Sequence, residues 1–376
     1  MSDIAIQPVQ TKRDRHTFLT FPWKVYRDDP LWVPPLLPER AKIIDPERGA
    51  FFQRGEADFF IAYRDGKPVG TICAGEDPPT NANRGKKECI FGFFEYIQDY
   101  EVFQALIERA AAWGRARGLD TLYGPWNLDY EDGYGVLVEG RDRPPALMCG
   151  HSPVYYQDFM TRYGFEPARA QNVALGVDFD DSPQFKRLTR IANRVREKGR
   201  VTVRQADFDN WEAEIDNLHK LLTRSLAHLD DHIGWLREEV EALVAPFQQI
   251  ADPELILFAD VDGETVGFFP GLPNLNEIFI HVNGLRYPWN YLQLLWRMRW
   301  QRVKGLTIKS VLVLPEYWNT GVSILLFDEL VSRAVAKGYT WTDLSITGAD
   351  NPNSIIMAEH MGAEIYKRWQ VYRLAI

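Results

Sequence analysis

The stretch Ser310–Val331, SVLVLPEYWNTGVSILLFDELV, carries the residues best suited to chemistry. An apolar, β-rich run, SVLVL, breaks at Pro315 into a polar loop, and a strongly apolar helical run follows. A strand that ends in a loop opening a helix leaves backbone N–H groups unpaired at the positive end of the helix dipole, an arrangement that binds phosphate. Gly321 permits close backbone approach to such a ligand, and Ser323 can cap the helix or bond an anion. A second constellation is HLDDH, with His228 and His232 four apart and Asp230 and Asp231 between them. On a helix the two histidines share a face, as in a metal site. No third ligand accompanies them, so no metal is predicted. No nucleophile motif is evident, so no covalent enzyme intermediate is expected.

The loop segment resembles motif A of the GNAT superfamily, V-x-P-E-Y-R-G-K-G-I-G followed by a helix. Downstream, Asn351-Pro-Asn-Ser-Ile-Ile-Met-Ala-Glu-His-Met-Gly-Ala is similar to the family's N-x-x-A-x-x-L-Y-x-x-x-G-F segment. With an upstream hairpin, the resemblance covers about 255–376. It implies that Val313 and Leu314 meet the pantetheine of an acyl-CoA. Asn319, Thr320, Gly321, Val322 and Ser323 would meet the pyrophosphate, and Asn351 the acceptor or the CoA. Trp318 stands where the family has Arg or Gln, and would stack on a base or block the site. Asn319 replaces the first loop glycine, and Asn tolerates left-handed backbone. The family's general-acid Tyr falls on Ala358, and in the first half on Met160.

The resemblance implies an acyl-CoA-dependent N-acyltransferase. An acyl group, expected to be acetyl, passes from acetyl-CoA or another acyl-CoA to an amine by direct attack. That reaction needs a base for the amine, stabilisation of the carbonyl oxygen and protonation of the leaving thiolate. Glu277, His281 and Asp343 are the candidate bases, and Tyr366 and Tyr372 the substitute acids. Glu277 and His281 lie in an alternating segment, NEIFIHVNG, and Asp343 in a strand, WTDLS. In the GNAT plan His228 and Asp231 fall near the acceptor, as does His281. The catalytic set expected is Glu277, Asp343 and Tyr366; His228, Asp231 and His281 are expected on the acceptor side. A small amine, an amino acid or a lipid-like amine would fit as acceptor. The alternative is a non-catalytic, GNAT-derived CoA-binding or scaffold protein.

The elements that must hold these residues occur twice. FFIAYRDGKPVG at 59–70 and ILFADVDGETVG at 256–267 each read as an apolar run, an Asp-Gly turn and Val-Gly, at an offset of 197. Asp-Gly between apolar runs predicts a hairpin. LIERAAAWGRARG at 106–118 and LFDELVSRAVAKG at 326–338 each predict an amphipathic helix ending at Gly. Tyr163-Gly-Phe-Glu and Met361-Gly-Ala-Glu follow in both halves. Three pairs in one order point to duplication. The fold class is α/β, with α+β mixed sheets, as two tandem GNAT-like acyl-CoA N-acyltransferase folds. The boundaries expected are 1–180 without a CoA loop, 181–200 as a basic linker helix and 201–376 with the acyl-CoA site. Extra chain is expected around 127–148 and 272–305. In the latter, YPWNYLQLLWRMRW at 287–300 reads as a core or domain-seam helix, or as the wall of an apolar acyl or lipid pocket. The Pro- and aromatic-rich 21–38 reads as an arm over the first domain.

Composition bounds the rest. The 376 residues are 45% hydrophobic and 25% charged, an ordinary globular balance long enough for two or three domains. The net charge of −9 argues against nucleic acid, which needs a basic face. It likewise disfavours an aminoacyl transferase using charged transfer RNA. The scattered Cys73, Cys89 and Cys149 make no disulfide framework and no metal spacing. No signal peptide is evident and no apolar run is long enough to span a bilayer, so a cytoplasmic location is expected. Oligomeric state is left open.

Overall fold

The structure, a computed structural model, describes residues 3–128, 135–179, 183–225, 227, 236–248 and 251–376. Strands β1 (Ala5–Pro8), β2 (Glu56–Arg64), β3 (Lys67–Glu76), β4 (Glu88–Tyr96), β5 (Thr121–Gly124), β6 (Val136–Glu139), β7 (Glu166–Pro167) and β8 (Asn172–Asp178) arise from the first half. The second half forms β9 (Val201–Gln205), β10 (Ile256–Val261), β11 (Glu264–Pro273), β12 (Gly305–Ile308), β13 (Leu312–Val313), β14 (Trp341–Gly348), β15 (Glu364–Gln370) and β16 (Tyr372–Ala375).

The duplicated segments form matching elements. Asp65 (φ 51°) and Gly66 (φ 71°) close the β2–β3 hairpin, and Asp262 (φ 51°) and Gly263 (φ 82°) close β10–β11. Positive φ at both central residues matches the twist of the flanking strands. The Val-Gly repeat has a packing cause. A Cβ on Gly70 would lie 2.6 Å from Leu106, and one on Gly267 would lie 2.8 Å from Leu326. Each glycine lets a long helix, Tyr100–Arg115 or Val322–Ala336, settle onto its sheet. Phe103, Leu106 and Ile107 are fully buried beneath the first sheet, as are Leu326 and Phe327 beneath the second.

The strands do not sort by chain position. One sheet runs β1-β2-β3-β4-β5-β16-β7, the other β6-β15-β8-β14-β12-β11-β10-β9, with β13 also on β11. The chain's last strand sits between β5 and β7, inside the first sheet. Reciprocally, β8 sits between β14 and β15, inside the second. Each sheet is antiparallel except for one parallel pair, β4–β5 or β12–β14.

The helix Pro183–Glu197 packs antiparallel on Val322–Ala336 through Leu188, Ala192 and Val195. The aromatic arm crosses both halves. Tyr26 stacks on Trp32 at 4.8 Å, and Trp23 donates its indole N–H to Asn283 Oδ1 at 2.5 Å. The sequence reading of 287–300 as a core or seam helix is overturned in part. Pro288–Trp300 is a helix, but its large apolar side chains face solvent and its body-facing positions include Asn290 and Arg297.

Candidate active site

The site is built by an interruption in one strand. β12 pairs with β11 through 306–308 and in parallel with β14 through 305–307. Ser310 then takes left-handed backbone (φ 54°), and one extra residue enters relative to β11. Such a bulge bends the strand and ends local pairing. β13 resumes on β11 at Leu312 and Val313, while β14 turns at Ser345 (φ 69°) and continues against β8. A V-shaped gap therefore opens between β13 and β14. Leu314 N–H donates to Val266 O at 3.0 Å. Because antiparallel residues alternate in bonding direction, Leu314 is committed to β11 and Val313 turns its amide and carbonyl to the gap.

The loop beyond β13 ends in an open helix terminus. Asn319 (φ 63°) and Gly321 (φ 93°) both adopt left-handed backbone. The helix Val322–Ala336 has no side-chain cap, so the amides of Val322, Ser323 and Ile324 point outward unpaired by any cap. Thr320 Oγ1 donates to Tyr317 O at 2.6 Å and tightens the turn. A Cβ on Gly321 would lie 2.5 Å from Val195 Cγ2, so glycine is required twice, for conformation and for space. Trp318 is 39% exposed and its indole N–H donates to Val313 O at 2.9 Å. It covers a gap-facing carbonyl and leaves the helix start open.

The corresponding place in the first half is closed. Left-handed Phe93 (φ 44°) interrupts β4, but Trp126 N–H donates to Phe91 O at 3.0 Å and Asn127 Oδ1 accepts from Phe93 N–H at 2.7 Å. The chain's own backbone fills the gap. At the following helix, Asp99 accepts from the amides of Glu101 and Val102, so a carboxylate occupies the place left uncapped in the second half.

At the apex of the open gap lies a buried polar cluster. Asp343 is fully buried. Its Oδ2 accepts from Thr307 Oγ1 at 2.8 Å and Ser345 N–H at 3.2 Å, and its Oδ1 accepts from Tyr366 O–H at 2.8 Å. Lys309 Nζ, on the bulge, lies 3.5 Å from Oδ2. Burial, then the Asp343 charge, holds the Tyr366 hydroxyl well above the ordinary tyrosine range, so it stays protonated. Burial also pushes the nearby Cys149 thiol up to about 12, which leaves it un-ionised at neutral pH. Tyr366 reaches Asp343 across β8, where Gly176 pairs with both Asp343 and Glu364. A Cβ on Gly176 would meet the Tyr366 ring at 3.2 Å.

An apolar cavity of about 100 Å³ includes Lys309 and Ser310, beside this apex, in its lining. It runs between the β10–β11 sheet and the helix Trp211–Ser225, lined by Ile215, Leu218, Leu222, Phe258 and Phe268.

The structure thus joins Asp343 and Tyr366 and separates them from Glu277. Glu277 accepts the amides of Lys304 (2.9 Å) and Gly305 (2.7 Å), at the far end of β12. His281 is exposed; partial burial, then Arg297, lowers its pKa. Asn351 caps the helix Pro352–His360 by accepting from Ser354 N–H at 3.4 Å. His228 and Asp231 lie outside the described residues. Lys309 and the cavity were missed. A single lysine in the apolar run GLTIKSVLVL marked the first, and the apolar spacing of Ile215, Leu218 and Leu222 marked the second. Among the described residues no group of His, Cys, Asp and Glu could hold a metal, and no helix is long and apolar enough to cross a membrane.

Residues 215–363 match the acetyltransferase (GNAT) family. The chain is 29% identical to the bacterial ceramide synthase of Caulobacter vibrioides (strain NA1000 / CB15N), over 100% of this chain and 98% of that one. It is 27% identical to protein YghO of Escherichia coli (strain K12), over 97% and 94%. Among solved structures, a tandem GNAT protein from the clavulanic acid biosynthesis pathway aligns with a TM-score of 0.58 at 12% identity, over 99% of this chain and 98% of that one. The splayed strands and the uncapped loop lie within the residues that match the GNAT family, and the chain as a whole has the fold of tandem GNAT proteins.

Proposed function

We propose that this protein is an acyl-CoA-dependent N-acyltransferase that moves a fatty acyl chain onto the amine of a lipid-like acceptor. The observation that carries this reading is the apolar cavity that Lys309 and Ser310 help to line, beside the gap that receives a thioester in this fold. An acetyl group needs no such space; a hydrocarbon chain does. The likeness to a protein named bacterial ceramide synthase supports it, because a ceramide is the amide of a fatty acid and a long-chain amine.

In this reading the uncapped amides of Val322, Ser323 and Ile324 hold the pyrophosphate and Val313 meets the pantetheine. The amine nitrogen attacks the thioester carbonyl, forming the C–N bond as the C–S bond breaks. Its proton passes to the Tyr366 oxygen as Tyr366 hands its own proton to Asp343. Lys309 protonates the departing thiolate and recovers a proton from Asp343 across their ion pair. The residues finish as they began, and amide and free CoA are released.

The second reading, a CoA-binding protein without turnover, is favoured by Trp318, which holds the Val313 carbonyl. Thermal shift with acetyl-CoA and palmitoyl-CoA, then product formation with sphinganine, separates the two. A ligand at about 100 times its Kd adds about 2.7 kcal/mol of stability. The expected result is a larger shift for palmitoyl-CoA and amide formation. Leu218→Trp should fill the cavity. At about 0.8 kcal/mol per buried methylene, excluding four lowers kcat/KM for palmitoyl-CoA roughly 10²-fold relative to acetyl-CoA. Equal shifts for both thioesters and no effect of Leu218→Trp would refute the chain-length reading. Binding without product would leave the sensor.

A further inference from the structure

The helix Pro288–Trp300 is built inside out. Asn290, Leu294 and Arg297 face the body of the protein, with Asn290 only 3% exposed. Asn290 Oδ1 accepts from Tyr287 N–H at 3.0 Å, and Arg297 donates to Gln301 Oε1 at 2.5 Å. Gln301 in turn donates to Glu277 O at 2.9 Å. The Gln301 bond ties the end of the helix to Glu277, while Trp289, Leu292, Leu295, Trp296 and Trp300 project into solvent, each 56–70% exposed. A contiguous apolar face of this kind marks an interaction surface.

Charge identifies the partner. Besides the body-facing Arg297, the cations Arg286, Arg299, Arg302 and Lys304 lie on or beside the helix, and no acidic residue occurs from 278 to 315, in a chain of net charge −9. Tryptophan with arginine is the composition of helices that lie in a bilayer interface, with rings at headgroup depth and cations on anionic lipid. At 13 residues the helix is about 20 Å long, too short to cross a hydrocarbon core. A symmetric contact with a second copy would set these cations against one another. We propose that this helix docks the protein on a phospholipid bilayer rich in anionic headgroups, lying in the plane of the interface.

Flotation of the full chain with vesicles tests this, without substrate, so its outcome is separate from turnover. The protein should float with phosphatidylglycerol–phosphatidylcholine vesicles, less so at high salt, and poorly with phosphatidylcholine alone. Trp289→Ser with Trp296→Ser should lower partition at least about tenfold, with an unchanged melting midpoint because both side chains are more than half exposed. Arg299→Gln with Arg302→Gln should lower it about twenty-five-fold, at about fivefold per cation. Failure of the wild type to float with anionic vesicles, or equal flotation of the double Trp variant, overturns the proposal. So does a solution dimer that the Trp substitutions split without any vesicle binding, which would assign the face to a second copy.

Discussion

Glu95 sets a pH dependence of stability whose sign is unusual for a carboxylate. It lies on β4, two residues after left-handed Phe93, and accepts from Tyr156 O–H at 2.7 Å and Tyr26 O–H at 3.3 Å. Burial raises its pKa to about 7 from 4.5, against the lowering effect of the two hydroxyls. Below the unfolded value both states hold the proton. As pH rises toward about 7 the unfolded chain has lost it and the native state keeps it, so stability falls with rising pH across this window. Above the window both are ionised and the full penalty stands. The shift corresponds to about 3 kcal/mol, trimmed to about 2–3 kcal/mol because the residue is only partly buried. Glu95→Gln removes the titration. Urea unfolding should show the variant gaining about 2–3 kcal/mol on the wild type between about pH 5 and about pH 8. His151, 2.7 Å from Asp29 and held low chiefly by burial, titrates nearby, but it contributes to both proteins and cancels in the difference. A flat difference, or one of opposite sign, would mean that the tyrosine hydrogen bonds outweigh desolvation, and the reasoning would be wrong.

The loop proposed to hold the pyrophosphate offers a second check. Gly321→Val places a β-branched side chain at φ 93° and against Val195, so it should destabilise by about 2–4 kcal/mol and abolish CoA binding measured by calorimetry. Retained affinity would remove the loop from the site. The chain-length switch at Leu218 and the vesicle partition of the tryptophan helix complete the set that biochemical assay can reach.

What the sequence made legible was local. The Asp-Gly hairpins, the paired Val-Gly contacts and the strand–loop–helix at 310–331 each depend on neighbours in the chain, so residue type and spacing reveal them. The orientation of Pro288–Trp300 does not. Its apolar residues surround the helix almost completely, and only the burial of Asn290 and Leu294 and the Gln301–Glu277 bond decide which side faces in. The Asp343–Tyr366 bond was equally hidden, since 23 residues and an intervening strand separate the pair. Residue type alone marks both as candidates. Glu277 was too, but its carboxylate holds the amides that start β12, which no pattern in NEIFIHVNG distinguishes from a base.

Strand exchange was the least legible feature, and it changes what a half of this protein is. β8 and β16 are short apolar segments whose alternation fits either sheet, and the choice between sheets is a tertiary one. Because β8 supplies Gly176 beneath Tyr366, the first half contributes to the candidate site of the second half without offering an uncapped loop of its own. The reciprocal debt falls on β16. Removing residues 371–376 deletes Val371 and Tyr372, 1% and 4% exposed, and strips β5 and β7 of their shared partner. Two buried side chains alone account for about 3–6 kcal/mol. Hydrogen exchange on the truncated chain should therefore lose protection first at β5 and β7, some two hundred residues away in sequence, before it is lost along β14. If protection fell instead only within 341–370, the two sheets would be independent bodies, and Gly176 could not couple one half's folding to the other half's chemistry.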